Sequence, residues 1–190
     1  MKLLKENYDG LQEIDGLSEA LKTFLLKPNI QEALQNNDFN TLYKELPSDY
    51  ASYFTHLMSS LNIDPLKYLD YIPDLFLAHT TIRAINIPSH IKRIGRAAFL
   101  NCSHLEHITI PDSVMSIGDY AFKGCSGLTN LTIPDSVTSI GNSAFGYCSK
   151  LKDIKYIGTK EQWSKIDLSF NWKEYSPIKT IHCTDGDITL

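Results

Sequence analysis

The chain lacks any apolar run approaching the roughly 18 uninterrupted residues of a bilayer-spanning helix, so no membrane segment is expected. Its opening stretch, Met1 to Asn7, has only two leucines, Leu3 and Leu4, where an export signal carries an apolar core of about 7–15 residues. A soluble, cytoplasmic protein is therefore expected. Positive charge is not in excess: 18 basic against 22 acidic residues leave a net −4, so a polyanion meets no general attraction and nucleic-acid binding is not expected. Cysteine is scarce, four in 190 residues, without the C-x-x-C pairs of common zinc sites. No Walker loop, G-x-G-x-x-G, G-x-S-x-G or H-E-x-x-H occurs, so no reaction, cofactor or metal is expected.

What is present is ordinary globular composition, 43% hydrophobic and 21% charged, enough for one large domain or two small ones. Self-comparison divides the chain further. Ile110-Pro111-Asp112-Ser113-Val114 returns as Ile133-Pro134-Asp135-Ser136-Val137, 23 residues on, and 13 of 23 positions are identical between 110–132 and 133–155. One period earlier, Ile87-Pro88, Ile94-Gly95, Ala98-Phe99, Cys102-Ser103 and Leu105 make 87–109 a third copy. Residues 64–86 form a degenerate first copy, with Pro65, Phe76, Ile82 and Ile85 in register, Tyr71 in place of the isoleucine and His79 in place of the cysteine.

The motif Ile-Pro-Asp-Ser-Val-x-Ser-Ile-Gly-x-x-Ala-Phe-x-x-Cys-Ser-x-Leu resembles the BspA-type leucine-rich repeat of bacterial, phage and some protozoan proteins. The resemblance covers 64–155 and implies a short solenoid with parallel strands there, and 156–190 resembles the C-terminal cap of such arrays; with residues 1–63, which carry no repeat, read as a helical domain from their apolar spacing, the expected class is α+β. The resemblance implies a non-enzymatic protein-interaction module whose partner is another protein. Two alternatives accompany it: a surface adhesin of the BspA type, and a phage-borne inhibitor of a bacterial defence protein such as a nuclease.

Stacked turns put like residues in columns. Phe76, Phe99, Phe122 and Phe145 are expected to stack at about 4.8 Å per turn, and Cys102, Cys125 and Cys148 to fill a narrow buried column as free thiols. One strand per turn is expected, at His107 to Ile110, Asn130 to Ile133 and Asp153 to Tyr156. Alternation turns Ile108, Ile110, Leu131 and Ile133 inward. It leaves Ala84, His107, Asn130 and Asp153 in one outward column and Asn86, Thr109, Thr132 and Lys155 in another.

Thr159 with Gln162 reads as a capping box opening a short helix, Trp163 and Trp172 as covers for the last rung, and Ile178 to Cys183 as a closing strand. In the first 63 residues, Leu17, Leu21, Phe24 and Leu25 share one helical face. Pro28 opens a second helix, Phe39, Leu42, Tyr43 and Leu46 mark a third, and Ser48 caps a fourth with Tyr50, Phe54, Leu57, Met58 and Leu61 inward.

The outward columns are the candidate binding face. Arg83, His90, Lys92, Arg93, Arg96, His104 and His107 are read as one basic patch, facing an acidic partner, a phosphate backbone or the acidic helical domain, which carries nine acids against five bases. Tyr50, Tyr53, Tyr68 and Tyr71 are candidate aromatic anchors. Cys102, His104 and His107 do not read as a metal site, nor His182 and Cys183 as a catalytic pair, because adjacent strand residues point to opposite faces.

Overall fold

A computed structural model describes residues 23–36, 38–47, 50–60 and 64–190. The chain separates into two units, 1–69 and 70–190. Among the described residues no helix is long and apolar enough to cross a membrane.

In the first unit, α1 (Pro28–Asn36) opens on Pro28 as expected and buries Ile30, Ala33 and Leu34. Asp38 caps α2 (Phe39–Glu45) by accepting from Thr41 N at 3.1 Å and Thr41 Oγ1 at 2.6 Å, and these bonds hold its carboxyl below the usual range. α3 (Ala51–Ser60) buries Phe54, Met58 and Thr55. The Thr55 hydroxyl donates to Ala51 O at 2.9 Å and so accepts from Tyr43 Oη at 2.6 Å, which satisfies the buried polar atoms of two helices. Phe24, Leu25, Phe39, Leu42, Tyr43 and Leu46 are buried as the helical pattern predicts. Leu17, Leu21, Ser48, Leu61 and the side chains of Tyr53 and Leu57 lie outside the described set.

The second unit is a solenoid with two ladders of strands. In chain order the strands are β1 (Tyr71–Ile72), β2 (Ala84–Asn86), β3 (Arg93–Ile94), β4 (His107–Thr109), β5 (Ser116–Ile117), β6 (Asn130–Ile133), β7 (Ser139–Ile140), β8 (Asp153–Tyr156), β9 (Asp167–Leu168), β10 (Thr180–Cys183) and β11 (Gly186–Thr189). The even strands from β2 to β10 pair in parallel, and β11 closes that sheet as an antiparallel hairpin with β10. The odd strands form a second, five-stranded parallel sheet. Each turn thus contributes two strands, not the single strand expected. The second is only two residues long, too short for an alternating pattern to be visible.

The end turns depart from the 23-residue step. Tyr71 pairs with Arg93 and Ile72 with Ile94, 22 residues apart, so Ile72 keeps the isoleucine position. Leu77 N–H bonds Ala98 O as Phe99 N–H bonds Ala121 O, which puts Leu77 rather than Phe76 in the phenylalanine column. Phe76 is buried in the column of Ala98 instead, and Thr80 rather than His79 stands at the cysteine position, 3.5 Å from Cys102 Sγ.

At the other end the segment 156–190 does more than cover the stack. β9 and β10 continue both ladders, so it contains a further turn. Ser139 and Asp167 are register partners 28 residues apart, and the surplus over 23 is the five-residue α4 (Lys160–Ser164). The Thr159–Gln162 capping box that opens α4 forms as expected, with N···O distances of 2.8 and 3.2 Å. Trp172 meets Phe145 edge-on at 6.2 Å, and Trp163 meets Trp172 at 6.0 Å, closing the apolar interior.

Candidate functional site

The repeated residues are bonded from turn to turn, which fixes what they cannot do. Phe99 and Phe122 stack at 5.2 Å, and Phe122 and Phe145 at 5.4 Å, with rings within 10° of parallel. Ser113 donates to Ile91 O at 2.6 Å and Ser136 to Val114 O at 2.7 Å. Asp74 and Asp119 accept from the amides of Arg96 and Asn142 one turn on, at 2.8 and 2.7 Å. At Gly141 a Cβ would lie 2.5 Å from Asp119 N, and at Gly118 2.9 Å from Arg96 N, so only glycine lets these backbones approach.

The cysteine column works the same way. Cys102, Cys125 and Cys148 are free and buried, and their thiols donate to the carbonyls of Leu77, Phe99 and Phe122 at 3.0, 3.2 and 3.2 Å. Burial pushes all three thiols up, Cys148 to about 12, so none is a ready nucleophile near neutral pH. Cys102 faces this interior while His104 borders an outer hollow, which separates the two.

The variable residues are what remains outside. On the six-stranded sheet, Ala84, His107, Asn130 and Asp153 form one exposed column. Asn86, Thr109, Thr132 and Lys155 form the other, in which Thr132 is half-buried. β10 lengthens both with Thr180 and His182, and His182 Nδ1 lies 2.9 Å from Asp187 across the hairpin. Six strands give this face about 24 Å of height at roughly 4.8 Å per step, taller than the four rungs visible as repeats.

The structure does not bring the expected basic patch together. Arg93 belongs to the five-stranded sheet, over the Tyr71 ring at 4.9 Å and 3.9 Å from Asp74. Arg96 lies over Tyr120 at 5.6 Å. Arg83, beside the six-stranded sheet, pairs with Glu106 at 3.0 Å. Lys92 is exposed in the bend before β3 and its backbone bonds Asp70 and Met115. The cause is the second strand ladder, which puts residues 93 and 107 of one turn on different sheets. Of the aromatic candidates, Tyr50 is half-buried and Tyr68 is exposed while stacked on Phe39 at 5.1 Å.

A second exposed feature was not expected from the sequence. Along the turns that join the two sheets, Lys123 Nζ sits 5.2 Å from the Tyr120 ring centre and 5.1 Å from that of Tyr147, and Tyr147 packs on Tyr175 at 5.0 Å. Lys123 also pairs with Glu174 at 3.5 Å. Tyr147 is 46% exposed, Tyr175 74% and Phe170 99%. Tyr120, Tyr147 and Tyr175 all have φ between 53° and 57°, a left-handed conformation that costs a non-glycine residue energy. Their columns also contain Ala97 and Ser143, or Asn101 and Gly124, so comparison of repeats discards them as unmatched.

A shallow hollow of about 280 Å³ opens beside β4, bordered by His104, Glu106, His107, Gly127, Thr129 and Lys150. Gly127 stands between His104 and Lys150 in their column, and a Cβ there would lie 2.6 Å from Ser103 O, so only glycine fits at this border of the hollow.

Comparison with known proteins agrees with this geometry. No curated protein matches the chain. Among solved structures, the pneumococcal vaccine antigen PcpA is similar in fold, with a TM-score of 0.50 and 22% identity over 63% of this chain and 29% of its own. A leucine-rich repeat protein of T. pallidum is 25% identical over 52% of this chain and 44% of its own, with a TM-score of 0.42. One from Bacteroides ovatus is 30% identical over 53% and 31%, with a TM-score of 0.35. The chain therefore spans less than half the length of each of these proteins. A family model described as the BspA type leucine-rich repeat region matches six copies over residues 70–184, well over half the chain. With its repeated residues bonded turn to turn over the same stretch, the chain belongs to the BspA-type leucine-rich repeat family.

Proposed function

We propose that this protein is a recognition module that binds another protein and catalyses no reaction of its own. One observation carries the reading: the repeated serines, glycines, cysteines and phenylalanines are engaged between turns, while the residues that vary are exposed on a regular frame. His107, Thr109, Asn130, Thr132, Asp153 and Lys155 supply the polar part of the surface. The edge formed by Tyr120, Tyr147 and Tyr175 supplies aromatic anchors of the kind that dominate binding energy, already held in place by ring and cation contacts.

The reading is non-catalytic because the residues most suited to nucleophilic chemistry serve the frame. The column thiols are neutral hydrogen-bond donors, and Cys183, whose pKa burial raises, stands on the strand face opposite His182. Free buried thiols suit a reducing compartment, and a cytoplasmic location is part of the proposal. The defence-inhibitor alternative has no structural counterpart to support it.

The test is affinity capture with the full chain from the source organism and from cells it encounters. A captured protein should be lost with the Tyr147→Ser/Tyr175→Ser variant or with Asn130→Arg, and kept with Asp112→Asn, which alters an exposed residue in the bend between the sheets. Capture unchanged by all three variants would refute the reading. Capture of an extracellular matrix or cell-surface protein in place of a cytoplasmic one would move the location to the surface and the role to adhesion.

A further inference from the structure

The six-stranded side of the solenoid carries a local charge opposite to that of the chain. Lys150, Lys152, Lys155 and Lys179 are exposed there, and among the described residues none has a carboxylate within salt-bridge distance. Lys179 N–H bonds Lys152 O at 2.8 Å, so these two are neighbours on adjacent turns, and Lys155 is register partner to His182. The acids of the same region are largely engaged: Glu106 with Arg83 at 3.0 Å, Asp187 with His182 at 2.9 Å and Asp185 with the Lys160 amide at 2.8 Å, leaving Asp153. Lys150 also borders the hollow at Gly127, together with His104, His107 and Thr129.

We propose that this hollow and the lysines around it receive the carboxylate side chains of an acidic segment of a protein partner. A carboxylate entering the hollow comes to a border that holds Lys150, which has no salt-bridge partner among the described residues, with His104, His107 and Thr129, while the one acid of the border, Glu106, is paired with Arg83. Lys152 and Lys179 continue the positive strip along the stack and offer partners to further acids of the same segment. A nucleic acid fits less well. The outward columns contain no phenylalanine, tyrosine or tryptophan on which bases would stack, and the chain's net −4 opposes a polyanion at long range. This inference rests on the recognition reading but not on the tyrosine edge, which is a different surface.

The test uses the full chain and a fluorescently labelled twelve-residue glutamate-rich peptide, read by anisotropy at low salt. Saturable binding is expected, weakened about tenfold or more by Lys150→Glu/Lys152→Glu. Lys44→Glu/Lys67→Glu changes net charge equally on exposed residues of the helical unit and should shift binding less than about twofold. Thr129→Tyr, which fills the hollow at constant charge, should weaken binding about fivefold, and far-ultraviolet circular dichroism establishes that each variant is folded. The proposal is overturned if both lysine pairs weaken binding equally, if Thr129→Tyr binds as the parent does, or if a twelve-nucleotide single strand binds at least as tightly through the same lysines. Failure here leaves a partner captured through Tyr147 and Tyr175 in place, so the two readings fail separately.

Discussion

In the central turns a cysteine thiol donates to the carbonyl of the phenylalanine one turn back; in the closing turn Ser176 Oγ donates to Phe145 O in its place. The same pairing extends to the aromatic interior. Phe99, Phe122 and Phe145 stack face to face, whereas the position after Phe145 is held by Lys173 and the interior is closed by Trp172 edge-on. The glycine column ends at Ser169, and just there the amide ladder running from Ala97 to Asp119 and from Tyr120 to Asn142 continues from Ser143 to Asn171, stepping past Phe170. The bond between turns is kept and the residue type is not. The constraint on each position is therefore the partner it must reach in the turn before, and the repeat motif is one solution to it.

The largest predicted effect separates the two regions. Phe122→Ala removes a ring stacked on both sides and is expected to cost about 3–5 kcal/mol by urea unfolding, whereas Lys173→Ala at the same place in the closing turn should cost about 1 kcal/mol or less. Equal costs would break the comparison. Next is Gly141→Ala, whose new Cβ would press on Asp119 N; about 1–3 kcal/mol is expected, with no comparable penalty for Ser169→Ala, where a side chain already stands.

The cysteine column sharpens the comparison further. Cys125→Ala removes one of the two donors to Phe99 O, the Cys102 amide at 3.2 Å remaining, and should cost about 1 kcal/mol, while Cys125→Ser, which imitates Ser176, should cost less; the reverse order in thermal melts contradicts the role given to the thiol. Because burial raises the folded pKa of these thiols, their contribution is fully present below the unfolded value near 9.0 and is lost as pH rises from there toward about 12 for Cys148. Melting temperature should fall between pH 9 and 11 by an amount corresponding to about 1 kcal/mol per thiol per pH unit, and less in Cys148→Ser.

How much of this was legible in the sequence follows from the same contrast. Where 13 of 23 positions recur, the stack, the buried columns and the outward residues of β4, β6 and β8 could be read directly. The Thr159–Gln162 box was legible because its chemistry is local. The first turn was misaligned by one residue, since Phe76 in a fixed 23-residue step imitates the column that Leu77 occupies. The last turn was hidden by the inserted α4, which moves every later residue out of step. The tyrosine edge and the Gly127 hollow were missed for another reason. A binding surface on a repeat frame is made of the positions that do not repeat, and spacing alone does not say which of them meet in space.

The measurement that reaches the stacking of the turns most directly is disulfide trapping on the six-stranded face, in a Cys183→Ser background so that the remaining native thiols are buried. His107 and Asn130 are register partners on adjacent strands about 4.8 Å apart, within the Cα separation a disulfide permits, whereas His107 and Asp153 are two strands, about 10 Å, apart. The His107→Cys/Asn130→Cys pair should cross-link rapidly under mild oxidation and the His107→Cys/Asp153→Cys pair should not. Equal cross-linking of the two pairs, or of neither, would contradict the stack.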